Sequence, residues 1–167
     1  MKLKTTMVAM GLLLNILNAQ SLNHQFHIGV DSYSGDINAD GGLNIGYVYE
    51  WGDDWKYALG ANITTADGSG ETGDAITFNA KIGKEIFTNT TAYGFVGLTG
   101  MGTGLKNSSN KEIGAGGVTY GILINYAISN SYDLQFGYKG YDLEYTLDSV
   151  DKDIHINSST VSLVYKF

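Results

Sequence analysis

After Ser21 apolar and polar residues alternate one by one, and no segment carries an apolar stripe at helical spacing. Phe26, Ile28 and Val30 alternate with His27, Gly29 and Asp31, and Leu43, Ile45, Tyr47, Tyr49 and Trp51 with Asn44, Gly46, Val48 and Glu50. Trp55, Tyr57, Leu59, Ala61 and Ile63 alternate with Lys56, Ala58, Gly60 and Asn62, and Ile76, Phe78, Ala80 and Ile82 with Thr77, Asn79, Lys81 and Gly83. A fifth strand from about Ala92 to Gly104 is the weakest. Tyr93, Phe95, Thr99 and Met101 are taken as its outer face, although Val96 and Leu98 spoil the other. Val118 to Ile128, Leu134 to Tyr138 and Val161 to Phe167 complete the set. A period of two repeated this often predicts an all-β chain of eight antiparallel strands.

The connections alternate too. Gly52 to Asp54, Phe87 to Thr91 and Ser129 to Ser131 are short, whereas Ser34 to Gly41, Ala66 to Asp74, Leu105 to Glu112 and Thr146 to Ile154 are longer and polar. With an even strand number the short turns and both ends fall on one side, as in barrels with short periplasmic turns and long extracellular loops. In the seventh strand the apolar phase moves to Tyr141, Leu143 and Tyr145 after Gly140. One extra residue would flip the faces, so a β-bulge near Gly140, or a strand leaving the barrel wall, is expected there.

Alternation alone does not separate a membrane barrel from a soluble one, but side-chain volume does. Gly29, Gly46, Gly60, Gly83, Gly94, Gly121 and Gly137 all fall in the polar phase, opposite the large Tyr, Trp, Phe, Leu and Ile set. Eight strands enclose a space just wide enough for side chains. The small polar set therefore fits inside and the bulky set must face lipid. Trp51 and Trp55 flank the first short turn, with Tyr93, Tyr165 and Phe167 near the same edge, and these are expected to form an aromatic girdle.

The N-terminus reads as a processing signal: Lys2 and Lys4, an apolar run from Met7 to about Leu17, then Ala19. Residues 1–19 are expected to be removed, leaving residues 20–167 as the barrel. That portion holds eight lysines against seventeen acids, a net charge of −9, and no arginine or basic cluster, which argues against a nucleic-acid partner. Cysteine is absent, which excludes disulfides, thiolate metal sites and a lipoprotein anchor, and proline is absent as well.

The terminal run Val161-Ser162-Leu163-Val164-Tyr165-Lys166-Phe167 closes on an aromatic after alternating apolar positions. With the leader and eight strands, the mature chain resembles small outer-membrane barrels of the OmpX, OmpA-transmembrane-domain and opacity-protein type. The resemblance implies that Tyr165 and Phe167 carry the signal read by the barrel-assembly machinery. It also implies outer-membrane lipid and lipopolysaccharide as surroundings, and a monomer. OmpA carries a periplasmic peptidoglycan-binding domain; here the chain ends at strand eight.

The inner phase holds Asp31, Glu50, Lys56, Lys81, Glu85, Lys139 and Lys166. A symmetric first turn would set Glu50 opposite Lys56, and paired charges of this kind would plug the lumen. A gated ion path is the alternative. A lipid-modifying hydrolase would need a His beside a Ser with an acid orienting it; His155, with Ser158 or Ser159 and Asp153, is the nearest match, but its spacing is not the His-x-Ser pattern of outer-membrane deacylases. His24 and His27 are three apart on a strand and face opposite sides, so they do not share a metal. The loop acids Asp36, Asp40, Asp67, Glu71, Asp74, Asp148, Asp151 and Asp153 lack a calcium-loop pattern. The expectation is a non-enzymatic barrel, structural or surface-interacting, with acidic loops, no metal and no cofactor; a lipid A deacylase or acyltransferase, or a narrow channel, is the alternative.

Overall fold

A computed structural model describes residues 23–36, 39–68, 74–106, 108, 110 and 112–167. The leader expected over residues 1–19 lies outside them. The chain forms β1 (His24–Gly35), β2 (Ala39–Trp51), β3 (Trp55–Gly68), β4 (Ala75–Phe87), β5 (Thr90–Lys106), β6 (Glu112–Ala127), β7 (Tyr132–Leu147) and β8 (Val150–Lys166). Each strand pairs antiparallel with its sequence neighbours, and β8 returns to β1 through pairs such as Ile28 with Leu163, so the sheet closes. Closure leaves no strand edge and lets every wall hydrogen bond be made between strands, the condition for sheet in hydrocarbon.

β7 and β8 keep one alternation from end to end, but what their faces carry changes along the barrel axis. Near the short turns the outer face is apolar: Leu59, Phe78, Leu98, Ile122, Phe136 and Leu163 are all exposed. Toward the other end the order inverts. Tyr141, Leu143, Ile154 and Ile156 point inward and form a buried cluster with Ala75, Met101 and Ala115, while Asp142, Glu144, Asp153 and His155 point outward.

This inversion corrects the expected bulge at Gly140. The β7 register runs unbroken through that residue on both sides, Gly140 pairing with Tyr120 and with Asn157. What changes is the character of the two faces, the outer one from apolar to charged and the inner one from polar to apolar, so the apolar side chains change sides while the backbone does not. The segment Thr146 to Ile154 is likewise not a long loop. β7 and β8 stay paired to Leu147 and Val150, and a two-residue turn of Asp148 (φ 49°) and Ser149 (φ 70°) joins them. Two consecutive positive φ angles give the primed turn that matches strand twist.

Candidate functional site

The inward side chains form levels, beginning at the end with the short turns. There the barrel opens as a polar vestibule of about 360 Å³ lined by Glu50, Lys56, Glu85, Asp133 and Lys166, among others. Glu50 and Lys56 are not the expected pair. Glu50 stands opposite Ala58, because Trp51 pairs with Tyr57 and the turn is centred on Asp54 rather than on Asp53. Glu50 instead accepts a hydrogen bond from the Tyr93 hydroxyl at 2.7 Å, and Lys56 Nζ donates to the Gly52 carbonyl at 2.9 Å. The ion pair at this level joins Lys166 to Asp133, 2.7 Å.

Tyr93 is therefore a lumen residue, which corrects its assignment to the girdle. It is buried, and its ring lies over Gly83 of the adjacent strand, where an added Cβ would come within 2.3 Å of it. The same fit recurs with Phe95 over Gly121 and His27 over Gly46. Inner glycines thus make room for specific large neighbours. The whole of β5 is accordingly in the opposite phase to that expected. Val96, Leu98 and Gly94 face outward, and Thr99 and Met101 face inward.

The middle level is nearly solid. His27, Asn62, Asn79, Lys81, Phe95 and Gln135 border a free space of only about 20 Å³, the room of roughly one water. Asn79 donates to Asn62 Oδ1 at 2.9 Å, Gln135 to Asn125 Oδ1 at 2.8 Å, and the Thr77 and Thr99 hydroxyls are 2.8 Å apart. Lys81 points into this level without a carboxylate in ion-pair reach among the described residues.

Above it stands the most buried ion pair. Lys139 Nζ donates to both Asp31 oxygens, at 3.1 and 2.9 Å, with side chains 7 % and 0 % exposed. Asn44 Nδ2 bridges Asp31 Oδ1 (2.8 Å) and the Thr160 hydroxyl (2.9 Å). Asp31 and Lys139 were each readable as inward-facing. Their pairing was not, because β1 and β7 are not neighbours and touch only across the lumen. Asp133 was missed because it borders a turn; the β7–β8 register would have placed it near Lys166.

Outside, Trp51 and Trp55 are exposed beside the first turn. Trp51 stacks between Tyr49 and Tyr57 (5.8 and 6.2 Å), and Tyr165 lies between Tyr132 and Phe167 (5.2 and 5.5 Å). His24 joins this belt, its ring stacked on Phe167 at 5.9 Å and its Nδ1 hydrogen-bonded to the Tyr47 hydroxyl. His27 faces inward, so the two histidines are on opposite sides of the wall. Phe167 also exchanges backbone hydrogen bonds with His24, 2.9 and 3.3 Å, and so secures the seam between the first and last strands.

At the far rim His155 Nδ1 is 2.8 Å from Asp142 Oδ1, and Asp36 accepts from the His155 backbone N–H at 2.9 Å. Ser158 points inward and is buried, while Ser159, on the outer face with His155, is four residues or about 13 Å along the strand. The residues considered for a Ser–His–acid arrangement do not assemble one. Among the described residues no group of three or more His, Cys, Asp or Glu side chains is placed to hold a metal ion.

A closed eight-stranded wall, apolar outside and polar within over one section, is the geometry of a membrane barrel. The family model for the outer membrane protein beta-barrel domain matches residues 6–167. The chain belongs to that family. It is an integral protein of the bacterial outer membrane, and the resemblance drawn from its terminal strand is borne out. The N-terminal β-barrel domain of Pseudomonas aeruginosa OprF is similar at 12 % identity and TM-score 0.63, over 89 % of this chain and 100 % of that one. Neisserial surface protein A is similar at 13 % and 0.57, over 86 % and 96 %. Ail, the attachment invasion locus protein of Yersinia pestis, in complex with the heparin analogue sucrose octasulfate, is similar at 16 % and 0.51, over 86 % and 97 %. At these identities the likeness is one of fold. No curated protein matches the sequence.

Proposed function

We propose that the protein is a non-enzymatic outer-membrane barrel whose lumen is plugged and whose acidic outer rim is the interacting surface. The carrying observation is the buried Asp31–Lys139 pair, with the tightly filled level below it and the apolar cluster of Tyr141, Leu143 and Ile156 above it. An ion crossing would have to break the pair and pass an apolar constriction, each of which opposes conduction. Purified protein in planar bilayers should give no stable single-channel steps, and steps of porin size would sink the plug. Lipid A from cells overproducing the protein should keep its mass; loss or gain of an acyl chain would favour the lipid-modifying enzyme instead.

The rim supports the second half of the reading. Asp36, Asp142, Glu144, Asp151 and Asp153 are exposed there against Lys152 and His155. Such a surface favours cationic partners and opposes polyanions of the kind present in the Ail complex. The barrel acts as a monomer among outer-membrane lipid and lipopolysaccharide, exported by residues 1–19 and assembled through Tyr165 and Phe167. Deleting Phe167 removes an interfacial ring and the seam bonds to His24. It should therefore lower the amount found in outer membranes more than it lowers refolding in detergent; equal loss in both would make the residue a packing element alone.

A further inference from the structure

On the outward phase of β5 two small residues follow one another at the end with the short turns, Ala92 and Gly94. Their partners place Lys84 and Ile82 on one side and Ile124 and Ile122 on the other. A Cβ added to Gly94 would meet nothing within 4 Å, so the floor between these walls is bare backbone. The result is an apolar groove of about 410 Å³ on the outer wall, closed near the short turns by Trp55 and Lys84. Lys84 Nζ lies 5.3 Å from the centroid of the Trp55 ring. Lys56 and Lys166, the other lysines at this end, line the vestibule and have partners there. Among the described residues Lys84 alone presents a cation to lipid at this belt, and none of their carboxylates pairs with it.

We propose that this groove binds an anionic phospholipid of the periplasmic leaflet, with an acyl chain over Gly94 and Ala92 and the phosphate group on Lys84. The groove runs along the wall from belt height into the apolar band, the direction an acyl chain takes from its headgroup. An apolar trough with one cation at its interfacial end complements a lipid of negative headgroup. A second copy in the same orientation would bring its own Lys84 to this level, while its acidic rim stands at the opposite end of the barrel, so it offers that cation no anion. Held against the Trp55 face, the ammonium keeps its long stem on apolar surface and its charge at headgroup level.

The chain has two tryptophans, Trp51 and Trp55, so Trp51→Phe leaves Trp55 as the only tryptophan reporter. That variant is reconstituted in phosphatidylcholine vesicles containing a minority of phosphatidylglycerol or of phosphatidylcholine, each brominated near the carbonyl end of its acyl chains. One lysine near an anionic headgroup corresponds to about a fivefold local enrichment. Trp55 quenching by the brominated phosphatidylglycerol should show this excess. Lys84→Gln should abolish it, Lys84→Arg should keep it, and Gly94→Leu should reduce quenching by filling the floor. Heat-modifiable gel mobility identifies the variants that close, and Lys84→Arg and Gly94→Leu test the site even where Lys84→Gln does not fold. Equal quenching by both lipids with Lys84 intact would overturn the proposal. So would weak quenching by either lipid together with a chemically cross-linked dimer, which would assign the groove to a second copy.

Discussion

The two sections of this barrel obey opposite rules with one backbone. In the membrane section Leu163 of β8 faces lipid and Ser162 and Thr160 fill the lumen; further along the same strand Ile154 and Ile156 are inside, and Asp153 and His155 are outside. The register of β7 and β8 has no break between the two sections. Which residues a strand buries is therefore decided by the solvent around the wall and not by the sheet. The Asp31–Lys139 pair lies where the polar filling meets the apolar cluster, closing the first and beginning the second.

The junction can be broken most severely by removing one partner of that pair. Lys139→Met should leave Asp31 buried and uncompensated, at a cost of about 3–5 kcal/mol. The double variant with Asp31→Asn should recover a large part. Urea midpoints in phospholipid vesicles measure both, and a near-neutral single variant would mean that water reaches Asp31.

Packing on the two sides of the junction should differ next. Leu143 is 1 % exposed inside the extension, whereas Leu163 is 45 % exposed on the lipid face. Leu143→Ala loses transfer free energy and leaves a cavity, in the range of about 2–5 kcal/mol. Lipid fills the space left by Leu163→Ala, so only the transfer part is lost. Leu143→Ala should accordingly be the costlier by about 1–2 kcal/mol, the size of a cavity contribution. Equal costs in the same urea titration would mean that the extension is loosely packed.

These particular residues also show what the sequence could and could not disclose. Seven strands were assigned to the correct face because their phases differ sharply in size, as with Leu43, Ile45 and Tyr47 against Asn44 and Gly46. β5 was reversed because its phases are nearly balanced. Tyr93 and Phe95 look like lipid-facing residues until the register sets them over Gly83 and Gly121. The flip at Gly140 was visible as a pattern, but sequence does not mark where the bilayer stops, so a backbone cause was assigned to a change of medium. The inward direction of Asp31 and Lys139 followed from periodicity. Their contact depends on closure and on positions around the ring, which no local spacing encodes. The Glu50–Lys56 pairing failed by the smallest margin, a turn centred one residue away from where symmetry put it.

A charge moved along one face of one strand locates the boundary itself. Leu163→Arg puts a guanidinium against hydrocarbon, at about 2–4 kcal/mol near the midplane of a barrel wall. Asp153→Arg, ten residues earlier on the same outward phase, is on the water-exposed extension and should change the urea midpoint little. If both cost the same, the extension would be in lipid and the two-section description would fail.

The subtlest effect concerns His155, outside the membrane and fully exposed at the rim. Its hydrogen bond to Asp142 raises its pKa above the ordinary value of about 6.5, and the charges of Asp142, Asp36 and Asp153 act in the same direction. A raised value in the folded state means that folding favours the imidazolium. Its contribution is fully present below about pH 6.5 and is lost as pH rises through the higher folded value. The β7–β8 tip should therefore loosen as pH rises through that folded value while the membrane section does not respond. An NMR titration, with the resonance assigned by its loss in His155→Gln, should give a midpoint above 6.5, and Asp142→Asn should move it down. Amide exchange at Leu147 and Val150, corrected for intrinsic rates, should quicken over the same interval, and exchange at Leu163 should not. A midpoint at the ordinary value would show that the His155–Asp142 contact does not persist in water. The extension would then be held by its apolar interior alone.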